Sequence, residues 1–276
     1  MNIYKVLPDL KRKRQMNLWQ KALRSQWSAE DLNWDAPQRI TQDKLKDQLA
    51  KVLTPILMGE QSALYSVSGL IPIMGHHGEQ ESQFYLTTWA VDEARHTELF
   101  AKFYHRLGRE PLAIRKFPAG YLFQSAIISK DAAEWLSGVL VSECLAKAVM
   151  EEFRRIDIDP VLSEISDGIL EDEARHLAFN HIYMEERFCE SFKKNPGQAR
   201  TTADGLRARM TDVFAKARPM LDSLAPEIEA LGVDREAVLA RVAKDARERL
   251  DKAVAGGERL AAQPAAAVPS AAGGGK

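Results

Sequence analysis

Cysteine is scarce in this chain: Cys144 and Cys189 are the only two among 276 residues. That excludes a disulfide framework and fits a reducing compartment, so a cytoplasmic location is expected. No apolar run is long enough to cross a bilayer, and no apolar stretch follows the basic residues near the N-terminus. Neither a membrane span nor a secretory signal is therefore expected. An excess of one charge is missing too. With 38 Lys and Arg against 39 Asp and Glu the net charge is −1. This argues against nucleic acid as a partner, because phosphate binding calls for a net basic surface. Strand-like alternation is absent throughout. What remains is 45% hydrophobic and 28% charged residues, in a chain long enough to bury a sizeable core.

What is there is helical periodicity. From about residue 41, Leu49, Val52, Leu53, Ile56, Leu57, Leu64 and Val67 recur three and four apart. This predicts a first long helix, ended by Pro72 and the Gly75–Gly78 turn. A second is expected from about Glu79 to Leu107, before Gly108. A third is expected over about 131–155, behind Ser129 and Asp131 as capping residues, and a fourth over about 159–191, opened by Asp159-Pro160. The stretch 111–128 reads as a connector with one short helix. Four long helices with modest connections predict an all-α four-helix bundle over 41–195. Residues 1–40 are expected to form an arm packed on the bundle through Trp19, Trp27 and Trp34. Its Lys11–Arg14 run is expected to be solvated, and Ser28 with Asp31 to cap a short turn. Residues 196–255 carry only a thin stripe of Leu239, Val242 and Leu250 and predict one or two peripheral helices. Residues 256–276, dominated by Gly, Ala and Pro, predict a disordered tail.

One pentapeptide, Asp-Glu-Ala-Arg-His, occurs twice, at 92–96 and 172–176. Glu and His three apart on a helix leave from nearly the same face and can grip one metal. Trp89, Glu93, His96, Phe100, Phe103 and Leu107 follow the spacing of a helix seam, as do Ile165, Ile169, Glu173, His176, Asn180 and Tyr183. Charged groups on an apolar seam need a cation. The first helix offers one seam acid, Glu60, and the third offers Glu143. One Glu from each of two helices, with Glu-x-x-His from each of the other two, is the ligand pattern of a ferritin-like dinuclear carboxylate centre. The expected metal ligands, and so the catalytic residues, are Glu60, Glu93, His96, Glu143, Glu173 and His176. Such donors suit iron, manganese or zinc. Asp92 and Asp172 are expected to orient the histidine of the opposite motif. Arg95 and Arg175 either pair with those aspartates or form ordinary surface ion pairs. Trp89, Phe100, Leu64 and Leu140 are candidates to line a substrate cavity, with plain core packing the stronger reading for Trp89. His76, His77, His105, His181 and Cys144 read as loop or packing residues.

Trp27 through Trp34, Gly59-Glu60-Gln61, Thr88 through Phe100 and Glu171 through His181 carry a resemblance over residues 26 to 191. On these motifs the chain resembles the ribonucleotide reductase small-subunit-like branch of the ferritin-like superfamily, near the ligand-binding oxidases and di-iron N-oxygenases. The resemblance implies dioxygen activation by two Fe ions, or a Mn/Fe pair, on the same six residues. It also implies O2 as co-substrate, an external electron donor and a cytosolic homodimer. Departures narrow it. The radical-tyrosine position is Phe100, and no Tyr or Trp follows Tyr183, which argues against a radical-generating subunit. The valine and tyrosine that crosslink in the ligand-binding oxidases correspond to Ser62 and Gly138, and the extra histidine of the p-aminobenzoate-type N-oxygenases to Ile169. The expected function is a non-haem dinuclear monooxygenase or oxidase. Its substrate is a small organic molecule with an apolar part, changed by hydroxylation, N-oxygenation, desaturation or oxidative cleavage. The alternatives are a ferroxidase in iron handling and the radical-generating subunit of a reductase.

Overall fold

Capping chemistry and apolar seams divide the chain into helices. The computed structural model describes residues 10–263, and among them there is no strand. The helices are α1 (Lys13–Arg24), α2 (Asp43–His76), α3 (Gln80–Leu107), α4 (Pro118–Ile127), α5 (Ala132–Ile156), α6 (Pro160–Lys194), α7 (Pro196–Asp222), α8 (Ala225–Ala230) and α9 (Arg235–Ala262). The starts of α5 and α6 follow side-chain chemistry: Asp131 accepts from the Glu134 amide at 2.9 Å, and Asp159 from the Val161 amide at 3.0 Å. Pro160 then sits in the first turn of α6, where its missing N–H costs nothing. No described helix is long and apolar enough to cross a membrane.

α2, α3, α5 and α6 form a four-helix bundle of the ferritin-like kind, with α2 against α3 and α5 against α6. Its interior is filled by fully buried large side chains, among them Leu49, Leu53, Phe100, Phe103, Leu162 and Phe179. Each contributes about 1.5–3 kcal/mol by leaving water. This burial carries α2 past Pro72 as far as the expected Gly75–Gly78 turn. Pro55 and Pro72 both lie inside the helix. An interior proline costs about 3 kcal/mol, but Leu70 and Met74, on either side of Pro72, are buried and hold the helix as far as His76. The chain turns only at Gly78, whose φ of +74° suits glycine.

Three expectations change outside the bundle. The Lys11–Arg14 run is not a solvated arm. Arg12 pairs with Glu186 at 3.2 Å and Glu190 at 3.3 Å, and Arg14 pairs with Glu185, all on α6. The run opens α1, and the buried Gln15 amide closes it onto the bundle by hydrogen bonds with Glu186 and Ser82. Residues 196–262 form three helices instead of one or two, and α9 lies along α6 and α5. Nor does the disordered tail begin at residue 256. α9 runs on through Gly256 and Gly257 to Ala262. A Cβ at Gly256 would fall 1.9 Å from Glu185 Oε1, and one at Gly257 would fall 2.6 Å from Phe188 Cβ. These glycines are where α9 presses onto α6. The rest of the expected tail, 264–276, lies outside the described residues, as do residues 1–9 of the arm.

Gly138 on α5 plays a similar part, since a Cβ there would meet the Ile127 carbonyl oxygen at 2.8 Å. Gly205 on α7 is exposed, with nothing within 4 Å of an added Cβ. Gly138→Ala is expected to destabilise by about 1–3 kcal/mol, because backbone has to shift. Gly205→Ala is expected to stabilise by about 0.5–1 kcal/mol. Chemical denaturation of both variants checks the opposite signs.

Candidate metal centre

Glu60 comes from α2, Glu93 and His96 from α3, Glu143 from α5, and Glu173 and His176 from α6. All six are buried. The structure brings five of them into two clusters. Glu60, Glu93 and His96 offer ligand atoms within 4.8 Å of one another, and so do Glu93, Glu143 and His176. Glu93 belongs to both. His96 Nδ1 lies 3.2 Å from Glu60 Oε2 and 3.7 Å from Glu93 Oε2. His176 Nδ1 lies 3.2 Å from Glu143 Oε2 and 3.4 Å from Glu93 Oε1. Glu173 stands slightly apart, with its Oε2 3.7 Å from His176 Nδ1.

The far side of each imidazole decides its chemistry. His96 Nε2 faces Asp172 Oδ2 at 3.1 Å, and His176 Nε2 faces Asp92 Oδ2 at 3.3 Å. Each motif's aspartate thus serves the other motif's histidine. An ionised aspartate only accepts, so each Nε2 donates. In a neutral ring that leaves the Nδ1 lone pair aimed at carboxylate oxygens, an arrangement that needs a cation between them. Arg95 donates to Asp92 at 2.5 Å and Asp172 at 2.8 Å, while Arg175 donates to Asp172 and, at 3.0 Å, to Asp92. Both guanidiniums are buried, so neither forms a surface ion pair.

The charges within this group do not balance. Six carboxylates, those of Glu60, Asp92, Glu93, Glu143, Asp172 and Glu173, face two guanidiniums. Four negative charges are left, the amount that two divalent cations carry. Protonation equilibria register the same deficit. Burial raises the pKa of Glu93, and burial together with Glu143 raises that of Glu173 well above the ordinary range. For His96 burial opposes charge, but hydrogen bonds to Asp172 and Glu60 outweigh it and raise the pKa. His176 is raised in the same way through Asp92, Glu143 and Glu173. Glu93 Oε2 and Glu173 Oε2 are buried without a hydrogen-bond partner among the described residues. Orphaned carboxylate oxygens, poised imidazoles and this charge deficit all fit a pair of divalent metal ions.

Other residues support the centre in ways the linear pattern did not reveal. Trp27 donates its indole N–H to Asp172 at 3.0 Å, and Gln26 its amide to Asp92 at 3.1 Å. The Arg95 guanidinium stacks 4.7 Å over the Trp27 ring. Trp89 is neither a cavity wall nor plain packing: its N–H holds Glu93 Oε1 at 2.7 Å, and its ring stacks on His176 with centroids 4.5 Å apart. A cavity does reach the centre, but Phe100, Leu64 and Leu140 do not line it. It opens onto Glu60, Glu143 and Glu173, between α2, α4 and α5 on one side and α7 to α9 on the other. Those C-terminal helices contribute Met220, Leu224, Ile228 and Val238, so its walls are predominantly apolar.

Residues 69–261 match the family described as p-aminobenzoate N-oxygenase AurF. Among solved structures, an R2-like ligand-binding oxidase with an aerobically reconstituted Mn/Fe cofactor is similar over 91% of this chain and 96% of its own, at 18% identity and a TM-score of 0.69. An R2-like ligand-binding oxidase with an aerobically reconstituted metal cofactor after photoconversion is similar over 91% of this chain and 97% of its own, at 16% identity and a TM-score of 0.71. At such identities the likeness is one of fold. No curated protein matches the sequence.

Asp172→Asn leaves the shape of the crossed pair but lets an amide donate toward His96 Nε2, favouring the wrong tautomer. Metal affinity measured by chelator competition is expected to fall about 10–100-fold. A second expectation concerns the thiols. Burial pushes Cys144 up to about 12, so it holds almost no thiolate at pH 8. Cys189 is partly exposed. Iodoacetamide at pH 8 is expected to label Cys189 and spare Cys144 in the folded protein, and to label both after unfolding, as read by peptide mass spectrometry.

Proposed function

The chain belongs to the p-aminobenzoate N-oxygenase AurF family, and from that membership we propose that it is a dioxygen-dependent di-metal oxidoreductase with Glu60, Glu93, His96, Glu143, Glu173 and His176 as its ligands. The single observation that carries this is the pair of buried histidine–carboxylate clusters that share Glu93. A pair of Fe ions, or one Mn and one Fe, bound there would supply dioxygen binding and reduction.

The chain's own residues prepare that chemistry. Asp172 and Asp92 keep the protons of His96 and His176 on Nε2 and turn Nδ1 inward. Trp89 fixes Glu93 through one oxygen, which keeps that carboxylate between the two histidines. The Arg95 and Arg175 pair fixes both aspartates. The cavity through which Glu60, Glu143 and Glu173 are reached has predominantly apolar walls. These features support oxidation of a small organic substrate with an apolar part. Ile169, fully buried, stands where the resemblance places the N-oxygenases' extra histidine. The proposal therefore covers hydroxylation, N-oxygenation, desaturation and oxidative cleavage without choosing the family's named substrate. It extends to an external electron donor, a homodimer and a cytoplasmic location, supported by the resemblance and by two unpaired thiols.

Metal analysis of the reconstituted chain is expected to give about two ions per chain, as the two clusters require. Adding oxygen to the anaerobic iron-loaded protein is expected to give a transient visible absorbance that decays faster when a suitable substrate is present. Absence of stoichiometric metal after reconstitution overturns the proposal. A long-lived product that no organic compound affects favours iron handling instead.

A further inference from the structure

Exposed large hydrophobic side chains are few among the described residues, and half of them stand in one short segment. Of the eight, Ile114, Tyr121, Leu122 and Ile128 lie within residues 111–130. Tyr121 and Leu122 are each 57% exposed and Ile114 is 56% exposed, so these side chains protrude. None of the four lines either cavity of the structure. The same segment holds Arg115, Lys116 and Lys130 and no acidic residue, since Glu110 and Asp131 stand just outside it. All three cations are exposed, and none has an ion pair or side-chain hydrogen bond among the described residues. α4, at the middle of the segment, carries no charge at all. It buries Gly120, Phe123 and Ile127 and turns Tyr121, Leu122 and Ser125 outward. Its C-terminal end is held by Arg209 of α7, which donates to the carbonyls of Ala126, Ile127 and Ile128 at 3.1, 2.8 and 3.3 Å. Arg209 pairs with no carboxylate among the described residues, so it adds a fourth uncompensated cation.

We propose that residues 111–130 form a docking surface for an anionic lipid bilayer, with Tyr121 and Leu122 entering the boundary between head groups and acyl chains and Arg115, Lys116 and Lys130 meeting the lipid phosphates. Grouped exposed apolar side chains mark a contact surface, and the charges select the occupant. A second copy of the chain would set two cationic segments face to face. A protein partner fits knobs into hollows, and this segment presents knobs alone. A bilayer surface deforms around protruding side chains, and its phosphates match the four cations. Apolar insertion and electrostatic attraction act together at such a surface, and each basic residue near it strengthens binding roughly five-fold. With ten residues, α4 would lie on the bilayer and not cross it. Its other side contributes Phe123 and Gln124 to the cavity that reaches the metal centre. Docking would therefore hold that wall of the cavity against the lipid. The inference does not depend on the oxidative reading of the centre.

The test is co-sedimentation of the full chain with vesicles of phosphatidylcholine, alone or mixed with about one third phosphatidylglycerol. The mixed vesicles are expected to bind at least ten-fold more tightly than the neutral ones, and less so at high salt. The double substitution Tyr121→Ser with Leu122→Ser is expected to weaken that binding about ten-fold. Arg115→Glu with Lys116→Glu is expected to weaken it at least ten-fold. All four positions are exposed, so thermal stability should not change in either variant. Leu23→Ser, at an exposed apolar position on α1, is expected to bind as the wild type does and serves as the control. No binding to the mixed vesicles, equal binding to neutral ones, or undiminished binding by either double variant each overturns the inference. Two further measurements name the other occupants. Self-association in analytical ultracentrifugation that disappears with Tyr121→Ser and Leu122→Ser, without vesicle binding, gives the surface to a second copy and overturns the inference. Calorimetric binding of an acidic plant-type ferredoxin that disappears with Arg115→Glu and Lys116→Glu, without vesicle binding, gives it to an acidic protein and overturns the inference as well.

Discussion

The four-helix bundle is arranged around a cluster of buried carboxylates. An isolated buried carboxylate costs several kcal/mol even after relaxation, and the bundle buries six around two imidazoles and two guanidiniums. Such an interior holds together only with added positive charge. In the chain by itself, protons on Glu93, Glu173, His96 and His176 are the available source, and their pKa values move in that direction. Two divalent ions supply the same charge. The long buried seams of α2, α3, α5 and α6 are the rigid frame that makes this confinement possible.

The frame and the clustering of the candidate ligands were largely legible in the residues, for one physical reason. Helical spacing is local, and a charged residue on an apolar spacing is visible without any tertiary information. Glu60 and Glu143 stand out in this way, and the doubled Asp-Glu-Ala-Arg-His motif even implies the crossed aspartates. What could not be read depends on contacts between distant segments. Trp27 meets Asp172 across 145 positions. Gln124 comes near Gly59 only because α4 crosses α2 there. Composition misled at Gly256 and Gly257, since glycines that permit close helix contact look like glycines in a tail. It misled again at Lys11–Arg14, where basic residues beside α6 glutamates look like a solvated run. Pro72 failed as a stop signal because burial on both sides outweighed the lost hydrogen bond.

The layer formed by α7, α8 and α9 changes how the centre relates to its surroundings. The candidate ligands alone define where metals would sit. The added helices define what else can approach, because Met220, Leu224, Ile228 and Val238 close the wall opposite α2 and α5. Lys51 on α2 ties Glu227 on α8 at 2.8 Å, so this wall is joined to the helix that carries Glu60. Variation in the C-terminal helices can thus alter what is oxidised while leaving the ligands untouched.

The crossed aspartates have a consequence for how such a fold can be assembled. The α2–α3 pair carries His96 but borrows its orienting Asp172 from α6, and the α5–α6 pair carries His176 but borrows Asp92 from α3. Neither half-molecule is self-sufficient. Separating the two halves would therefore leave both imidazoles without the group that holds their Nε2 proton. The doubled pentapeptide thus makes each half of the bundle supply the group that orients the other half's histidine.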